Sequence, residues 1–136
     1  MQLVGGRIVL ALDALLFGAF GALYWVIPQA MAAKVGIALT STGAIIDIQG
    51  LYGGLELGLG CFLGFCALTA DRARTGLVAG TLVLCGIALS RLVAIARFGL
   101  PDSSVAVLIG LDLLGAVLNL VFLLRYRAGE RVTAAR

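Results

Sequence analysis

The sequence predicts an all-α fold, a bundle of four membrane-spanning helices joined by short loops. Of its 136 residues, 62% are hydrophobic and 12% are charged, and the mean hydropathy is +1.13. Soluble domains are roughly 45–50% apolar and about 25% charged. The apolar residues fall into four runs of about 20, the length that crosses a bilayer as a helix. A soluble chain this short has too little interior to bury them.

The four runs set the limits of a single domain, residues 1–136. The spans are predicted at about residues 8–27, 48–70, 76–98 and 105–124, and the second could begin as early as Ala44. Pro28 ends the first span and Gly99 ends the third, because proline disfavours a helix before it and glycine commonly ends one. Ser103 or Ser104 is expected to cap the fourth.

Polar connections separate the spans. The longest is residues 28–47, and the two tight turns are residues 71–75 and 98–104. The polar tail, residues 125–136, is expected to fray after its first few residues.

Basic residues are distributed unevenly between the two sides of the predicted bundle. Lys34 and Arg97 lie on one side. Seven lie on the other: Arg7, Arg72, Arg74, Arg125, Arg127, Arg131 and Arg136. Since loops rich in Lys and Arg stay in the cytoplasm, both termini are predicted to be cytoplasmic. Aromatic belts are expected at the two interfaces, formed by Tyr24, Trp25 and Tyr52 outside and Tyr126 inside.

Glycines recur at helical spacing within the spans. Small residues four positions apart allow two helices to approach closely in lipid. The second span carries Gly50, Gly53, Gly54, Gly58, Gly60 and Gly64, the third carries Gly76 and Gly80, and the first carries Ala14, Gly18 and Ala22. We expect these residues to pack helices within the bundle, and a dimer interface is the alternative.

Several classes of site are excluded by composition. The chain has no His, and its three Cys lie within apolar runs. Haem and copper sites with imidazole ligands, most catalytic zinc sites and His-activated nucleophiles are therefore ruled out. The sequence predicts no cofactor, no metal and no catalytic residue. The basic residues form no stripe with interleaved aromatics, so nucleic-acid binding is not expected.

Ionisable side chains within the spans mark a candidate site, because a charge in the membrane is costly. They are Asp13, Glu56, Arg91 and Asp112, and Asn119 is a polar neighbour. At a rise of about 1.5 Å per residue, Glu56, Arg91 and Asp112 each lie roughly 12 Å below the outer boundary, and Asp13 lies deeper. An Arg fork can hold two carboxylates. These three are therefore predicted to form one hydrogen-bonded cluster, either a static clamp or a ligand or proton site.

Two runs, LYGGLELGLGCFLGF and GIALSRLVAIARFGLP, with Asp112 in the following span, resemble a family of small bacterial four-helix membrane proteins known only as a domain of unknown function. In that family an acidic residue and an Arg open a Tyr-Gly-Gly helix, an Arg lies on helix three before a Gly-x-Pro turn, and an acid lies on helix four. Asp47 fits the acidic position, whereas Gln49 and Gly50 depart from the Arg. Asp112 stands where Glu is usual.

The resemblance covers about residues 8–124. It implies a bundle in the bacterial inner membrane, with Tyr52, Gly53, Gly54, Arg91 and Asp112 as the residues of interest. It implies no activity.

Three functions are consistent with the sequence. The favoured one is a non-enzymatic accessory or scaffold protein that packs against a larger membrane complex or against itself. The second is a bundle that binds or transports a small hydrophobic or anionic ligand anchored by Arg91. The third, an enzyme acting on a lipid- or quinone-like substrate with Glu56 or Asp112 as general acid, is least favoured, because the chain has no His and no metal-ligand set.

Overall fold

The computed structural model describes residues 2–101 and 103–134, and the side chains of residues 4–101 and 105–126. Its helices are α1 (Gln2–Val26), α2 (Pro28–Lys34), α3 (Thr42–Ile48), α4 (Leu55–Leu68), α5 (Ala73–Phe98) and α6 (Ser103–Ala134). A π-helical segment, Gln49–Gly54, joins α3 to α4, and a 3-10 turn, Ala70–Arg72, precedes α5. The described residues contain no strand.

Within the described part of the chain, four segments are long and apolar enough to cross a membrane. They are Val4–Val26, Thr42–Leu68, Ala70–Phe98 and Val105–Tyr126. The second consists of α3, the π-helical segment and α4, which run without a break. The predicted all-α four-helix fold is confirmed, and the chain is a multi-pass membrane protein.

The second span starts earlier than predicted, because a side chain caps it at Ser41. The Ser41 hydroxyl accepts a hydrogen bond from the Ala44 backbone N–H at 3.1 Å, which supplies one of the partners that the first turn lacks. The connection predicted at residues 28–47 is shortened further by α2. That helix has Pro28 at its first position, where the missing N–H costs nothing.

The third and fourth spans are joined by a short turn. Gly99 follows α5 with a φ of 91°, a conformation that glycine adopts without strain. Beyond the turn, α6 continues to Ala134, so residues 125–134 extend the helix where a frayed tail was expected. The side chains of Ser103 and Ser104, the predicted caps, lie outside the described residues.

The bundle is built from two helix pairs. Packing is most extensive between α1 and α4 and between α5 and α6, and is sparser between the pairs. The end that holds the start of α1 is called here the N-terminal end, and the other, with the α5–α6 turn, the loop end. The hydrophobic core lies towards the N-terminal end and consists of Leu10, Leu63, Cys66, Ala67, Ala73, Leu77 and Leu123.

Glycines make the close approaches within the bundle. A methyl group on Gly60 would lie 2.8 Å from the backbone nitrogen of Gly18, and one on Gly21 would lie 2.6 Å from that of Leu57. Gly53 lies against the Trp25 backbone in the same interface. Of the other predicted packing glycines, Gly64 faces Ala14, Gly76 faces Cys66 and Leu10, and Gly80 faces Asn119.

Three glycines of the second span do not pack within the chain, contrary to expectation. Gly50, Gly54 and Gly58 are exposed, and no atom lies within 4 Å of a methyl group built on Gly50 or Gly58. The reason is that successive residues of a helix are rotated by about 100° around its axis. Gly54 and Gly58 therefore point away from the face on which Gly53 and Gly60 meet α1.

Arg7 ties the start of α1 to the end of α4. Its Nε donates to the Ala67 carbonyl at 2.7 Å, and its Nη2 donates to the Leu68 carbonyl at 3.0 Å. The last carbonyls of a helix have no partner within the helix, and in a membrane they need one from elsewhere. Arg7 thus satisfies two backbone acceptors and fixes the N-terminal end of the first helix pair.

Candidate functional site

The centre of the candidate site is an ion pair between the third and fourth spans. Arg91 on α5 and Asp112 on α6 approach to 2.6 Å between Nη1 and Oδ2. Their side chains are 35% and 19% exposed. A charge pair in the membrane requires close contact to offset the loss of hydration. The pair therefore holds α5 and α6 together near the loop end.

Glu56 faces this pair from the other half of the bundle. It is half-buried on the first turn of α4 and lies within electrostatic range of Arg91 and Asp112. Among the described residues it forms no ion pair, and its buried Oε2 has no hydrogen-bond partner. The predicted three-residue hydrogen-bonded cluster is therefore incomplete, because α4 and α5 belong to different helix pairs and the packing between the pairs is sparse.

Two tyrosines adjoin Glu56. The rings of Tyr24 on α1 and Tyr52 in the π-helical segment have centroids 5.1 Å apart. Tyr24 is 7% exposed, so it is buried in the bundle where the sequence predicted an interfacial belt. It lies within electrostatic range of both Glu56 and Arg91. Sequence reasoning missed Tyr24 as a site residue, although it lies one helical turn after Gly21, on the face that packs against α4.

The π-helical segment positions Tyr52 and Glu56. A π-helical turn holds one more residue than an α-turn, and such turns often occur at functional sites. The segment packs against α1, α3 and α4. Gln49 anchors it, since its Nε2 donates to the Trp25 carbonyl at 2.7 Å. The extra residue places Tyr52 beside Tyr24, one turn before Glu56.

An apolar pocket of about 300 Å³ opens beside Arg91 at the loop end. Its lining consists of Arg91, Ala94, Ile95, Phe98, Gly99, Leu100, Pro101, Val105 and Ile109. Among the described residues of this lining, Arg91 is the one that carries a charge. The volume is at the lower limit of small-molecule sites, which are mostly apolar with a few polar anchors.

Asp13 and Asn119 form a second polar pair, separate from Arg91. The Asn119 Nδ2 donates to the Asp13 Oδ2 at 2.7 Å and to the Gly115 carbonyl at 2.9 Å. The two side chains are 6% and 0% exposed. The Asn119 Oδ1 has no hydrogen-bond partner and lies against Gly80. This pair links α1 to α6, so Asp13 is held by Asn119 and does not join the Arg91 cluster.

The sequence also identifies the family. The family model described as a domain of unknown function, DUF4345, matches residues 6–123. The chain belongs to this family. The matched region of this DUF4345 protein includes all the polar side chains described above, and the predicted resemblance is confirmed. No curated protein and no solved structure matches the chain.

The DUF4345 site combines one guanidinium with two carboxylates, and the acid is in excess. Asp112 occupies one nitrogen of Arg91, and a guanidinium has five N–H donors. The arrangement can therefore accept a hydrogen-bonding group on Arg91 and another on Glu56. Among residues 4–101 and 105–126, no group of three or more His, Cys, Asp or Glu side chains is arranged to hold a metal ion.

Proposed function

We propose that this DUF4345 protein binds a small amphipathic molecule at the loop end of its bundle. The observation that carries the proposal is the pocket beside Arg91, in which a guanidinium is the one charged group among the described lining side chains, the rest of which are apolar. A pocket of this composition suits a ligand with an apolar body and one polar head. The free N–H groups of Arg91 would donate to that head.

The charge balance favours a neutral head over an anionic one. Asp112 already neutralises Arg91 at 2.6 Å, and Glu56 adds a further acidic group within electrostatic range. An anion would therefore enter a site with surplus carboxylate, and like charges repel strongly where the dielectric is low. A carbonyl or hydroxyl accepts from Arg91 without adding charge.

Thermal unfolding of the detergent-solubilised protein tests this ligand class. Three probes of similar length separate the contributions of the apolar body, the hydrogen bond and the charge. They are undecane, 2-undecanone and laurate. We expect 2-undecanone to raise the unfolding temperature more than undecane, because only the ketone accepts a hydrogen bond, and laurate to raise it less than the ketone. In the Arg91→Gln variant the advantage of the ketone over undecane should fall sharply.

The matched control is Arg97→Gln. Arg97 lies above the Phe98 ring at 5.4 Å and is absent from the pocket lining. This variant should keep the wild-type response to each probe. Equal shifts for 2-undecanone and undecane in the wild-type protein, or a ketone response that Arg91→Gln leaves intact, would contradict the proposed site. A preference for laurate would contradict the neutral head.

A second candidate function, an accessory or scaffold protein, is favoured by the exposed glycine face of the second span. Gly50, Gly54 and Gly58 leave the helix backbone open over more than two turns, with Leu51 and Leu55 exposed nearby at 55% and 66%. In lipid, glycines at this spacing are typical of helix–helix contacts. A partner helix, from a second copy or from a larger complex, would fill this face.

The oligomeric state in lipid nanodiscs tests the scaffold function. If the glycine face binds a second copy, Gly58→Leu should shift the protein from dimer to monomer, because the larger side chain holds the helices apart. Ala96→Leu, at an exposed position on α5, is the control and should leave the dimer intact. A wild-type protein that is monomeric and retains no membrane protein through mild purification would contradict this function.

The membrane and the orientation are part of the same proposal. The excess of Arg at the N-terminal end supports a cytoplasmic location of both termini, in the inner membrane of a bacterium. Reporter enzymes fused to each terminus would measure the orientation. Activity at either terminus of a reporter that works only outside the cytoplasm would contradict it.

A further inference from the structure

We infer that a groove beside Arg7 binds an anionic phospholipid, with the phosphate on the Arg7 guanidinium and an acyl chain along α1. The groove has a volume of about 350 Å³. It lies between α1 and the end of α4, at the N-terminal end of the bundle, opposite the Arg91 pocket. Its lining is formed by Val4, Arg7, Ile8, Ala11, Ala67 and Leu68.

Among the described side chains, no acid pairs with the charge of Arg7. Its Nε and Nη2 donate to two backbone carbonyls, and among the described residues it forms no ion pair. The carbonyls at the end of a helix carry only a partial negative charge. Most of the guanidinium charge is therefore uncompensated at the membrane boundary, and its Nη1 is available to a further acceptor. A phosphate oxygen is a strong acceptor for a charged N–H.

The surroundings of Arg7 match the rest of a lipid molecule. Val4, Ile8 and Leu68 are 58%, 55% and 80% exposed and form apolar walls along which an acyl chain can lie. Arg7 is one turn inside the span that begins at Val4, which places it near headgroup depth. A second cation, Arg72, lies just beyond the end of α4 and stacks on the Phe65 ring at 4.3 Å.

Arg7 thus binds the last carbonyls of α4 and keeps most of its positive charge uncompensated. Because it lies near headgroup depth, we expect its partner to be an anionic lipid. A basic group between spanning helices at headgroup level commonly binds anionic lipid, each Arg or Lys near an anionic surface contributing about 1 kcal/mol. Free phosphate would supply the same acceptor but no chain for the groove. The site does not depend on the Arg91 pocket, so either proposal can fail alone.

Native mass spectrometry of the full chain tests the inference with two lipids that share the same acyl chains. We expect dioleoyl phosphatidylglycerol to bind about fivefold more tightly than dioleoyl phosphatidylcholine. Arg7→Gln should abolish this preference, whereas Arg97→Gln, at the loop end, should leave it unchanged. Inorganic phosphate alone should not stabilise the protein.

A second variant keeps the test decisive if Arg7→Gln unfolds. Ala11→Phe fills the groove and leaves both hydrogen bonds of Arg7 in place, so it should weaken the binding of both lipids. Equal binding of the two lipids by the wild-type chain overturns the inference. So does a phosphatidylglycerol preference that survives Arg7→Gln, or lipid binding that Ala11→Phe does not change.

Discussion

Replacing Arg91 with alanine is expected to lower the free energy of unfolding by about 3 kcal/mol. Removing one partner of a buried ion pair costs roughly 3–5 kcal/mol, because the other charge is left without compensation. The lower value applies here, since the Arg91 side chain is 35% exposed. Asp112 would lose its partner, and Glu56 would lose the cation within its electrostatic range. Reversible unfolding of the detergent-solubilised protein by SDS measures the change.

Two variants make this result specific. Arg97→Ala removes the same charge from an exposed position at the end of α5 and should change stability by less than about 0.5 kcal/mol. Arg91→Lys keeps the charge but loses the planar fork, so its stability should lie between those of Arg91→Ala and the wild-type protein. An Arg91→Ala variant as stable as Arg97→Ala would show that Asp112 and Glu56 do not depend on the guanidinium.

Gly60→Val is the second substitution with a large expected effect, again about 3 kcal/mol of destabilisation. A methyl group at this position would lie 2.8 Å from the Gly18 nitrogen and 3.0 Å from the Ala14 carbonyl oxygen. Both are backbone atoms, so no side chain can rotate away and α1 must move from α4. Overpacking of this kind typically costs about 1–3 kcal/mol, and the backbone contact places this case at the upper end.

Gly58→Val supplies the comparison, because it adds the same side chain one half-turn away. No atom lies within 4 Å of a methyl group on Gly58. In a monomeric sample the variant should match the wild-type stability within about 0.5 kcal/mol. Equal losses at Gly58 and Gly60, measured by the same SDS titration, would mean that the α1–α4 approach is not the cause.

The hydropathy of the apolar runs and the residues that end them were sufficient to predict the spans. The length of each apolar run, Pro28 after the first and Gly99 after the third follow from local rules of chain geometry. The start of the second span was harder to place. Its first turn depends on the Ser41 hydroxyl, and Thr42 and Gly43 are not apolar. The π-helical segment leaves no signature in composition, since it depends on the contacts of Gln49 and Gly53 with α1.

The sequence predicted which residues form the candidate site better than it predicted which of them pair with each other. The cost of placing a charge in the membrane marked Arg91, Asp112, Glu56 and Asp13 as candidate site residues. The prediction that Glu56 binds Arg91 depended only on their similar depth in the membrane. The pairing of these side chains depends on which helices pack tightly against each other. In the structure, Arg91 pairs with Asp112 and Asp13 pairs with Asn119. Asp13 and Asn119 are 106 positions apart in the chain, and no local pattern relates them.

The division into two helix pairs has a consequence for how the chain is assembled. The tightest interface joins the first and second spans, and the next joins the third and fourth, so each half of the bundle is a hairpin of consecutive helices. Arg91 and Asp112 belong to the same hairpin. Neutralisation of the guanidinium therefore requires only the third and fourth spans, and the contact between the two halves of the bundle brings Glu56 alongside this pair.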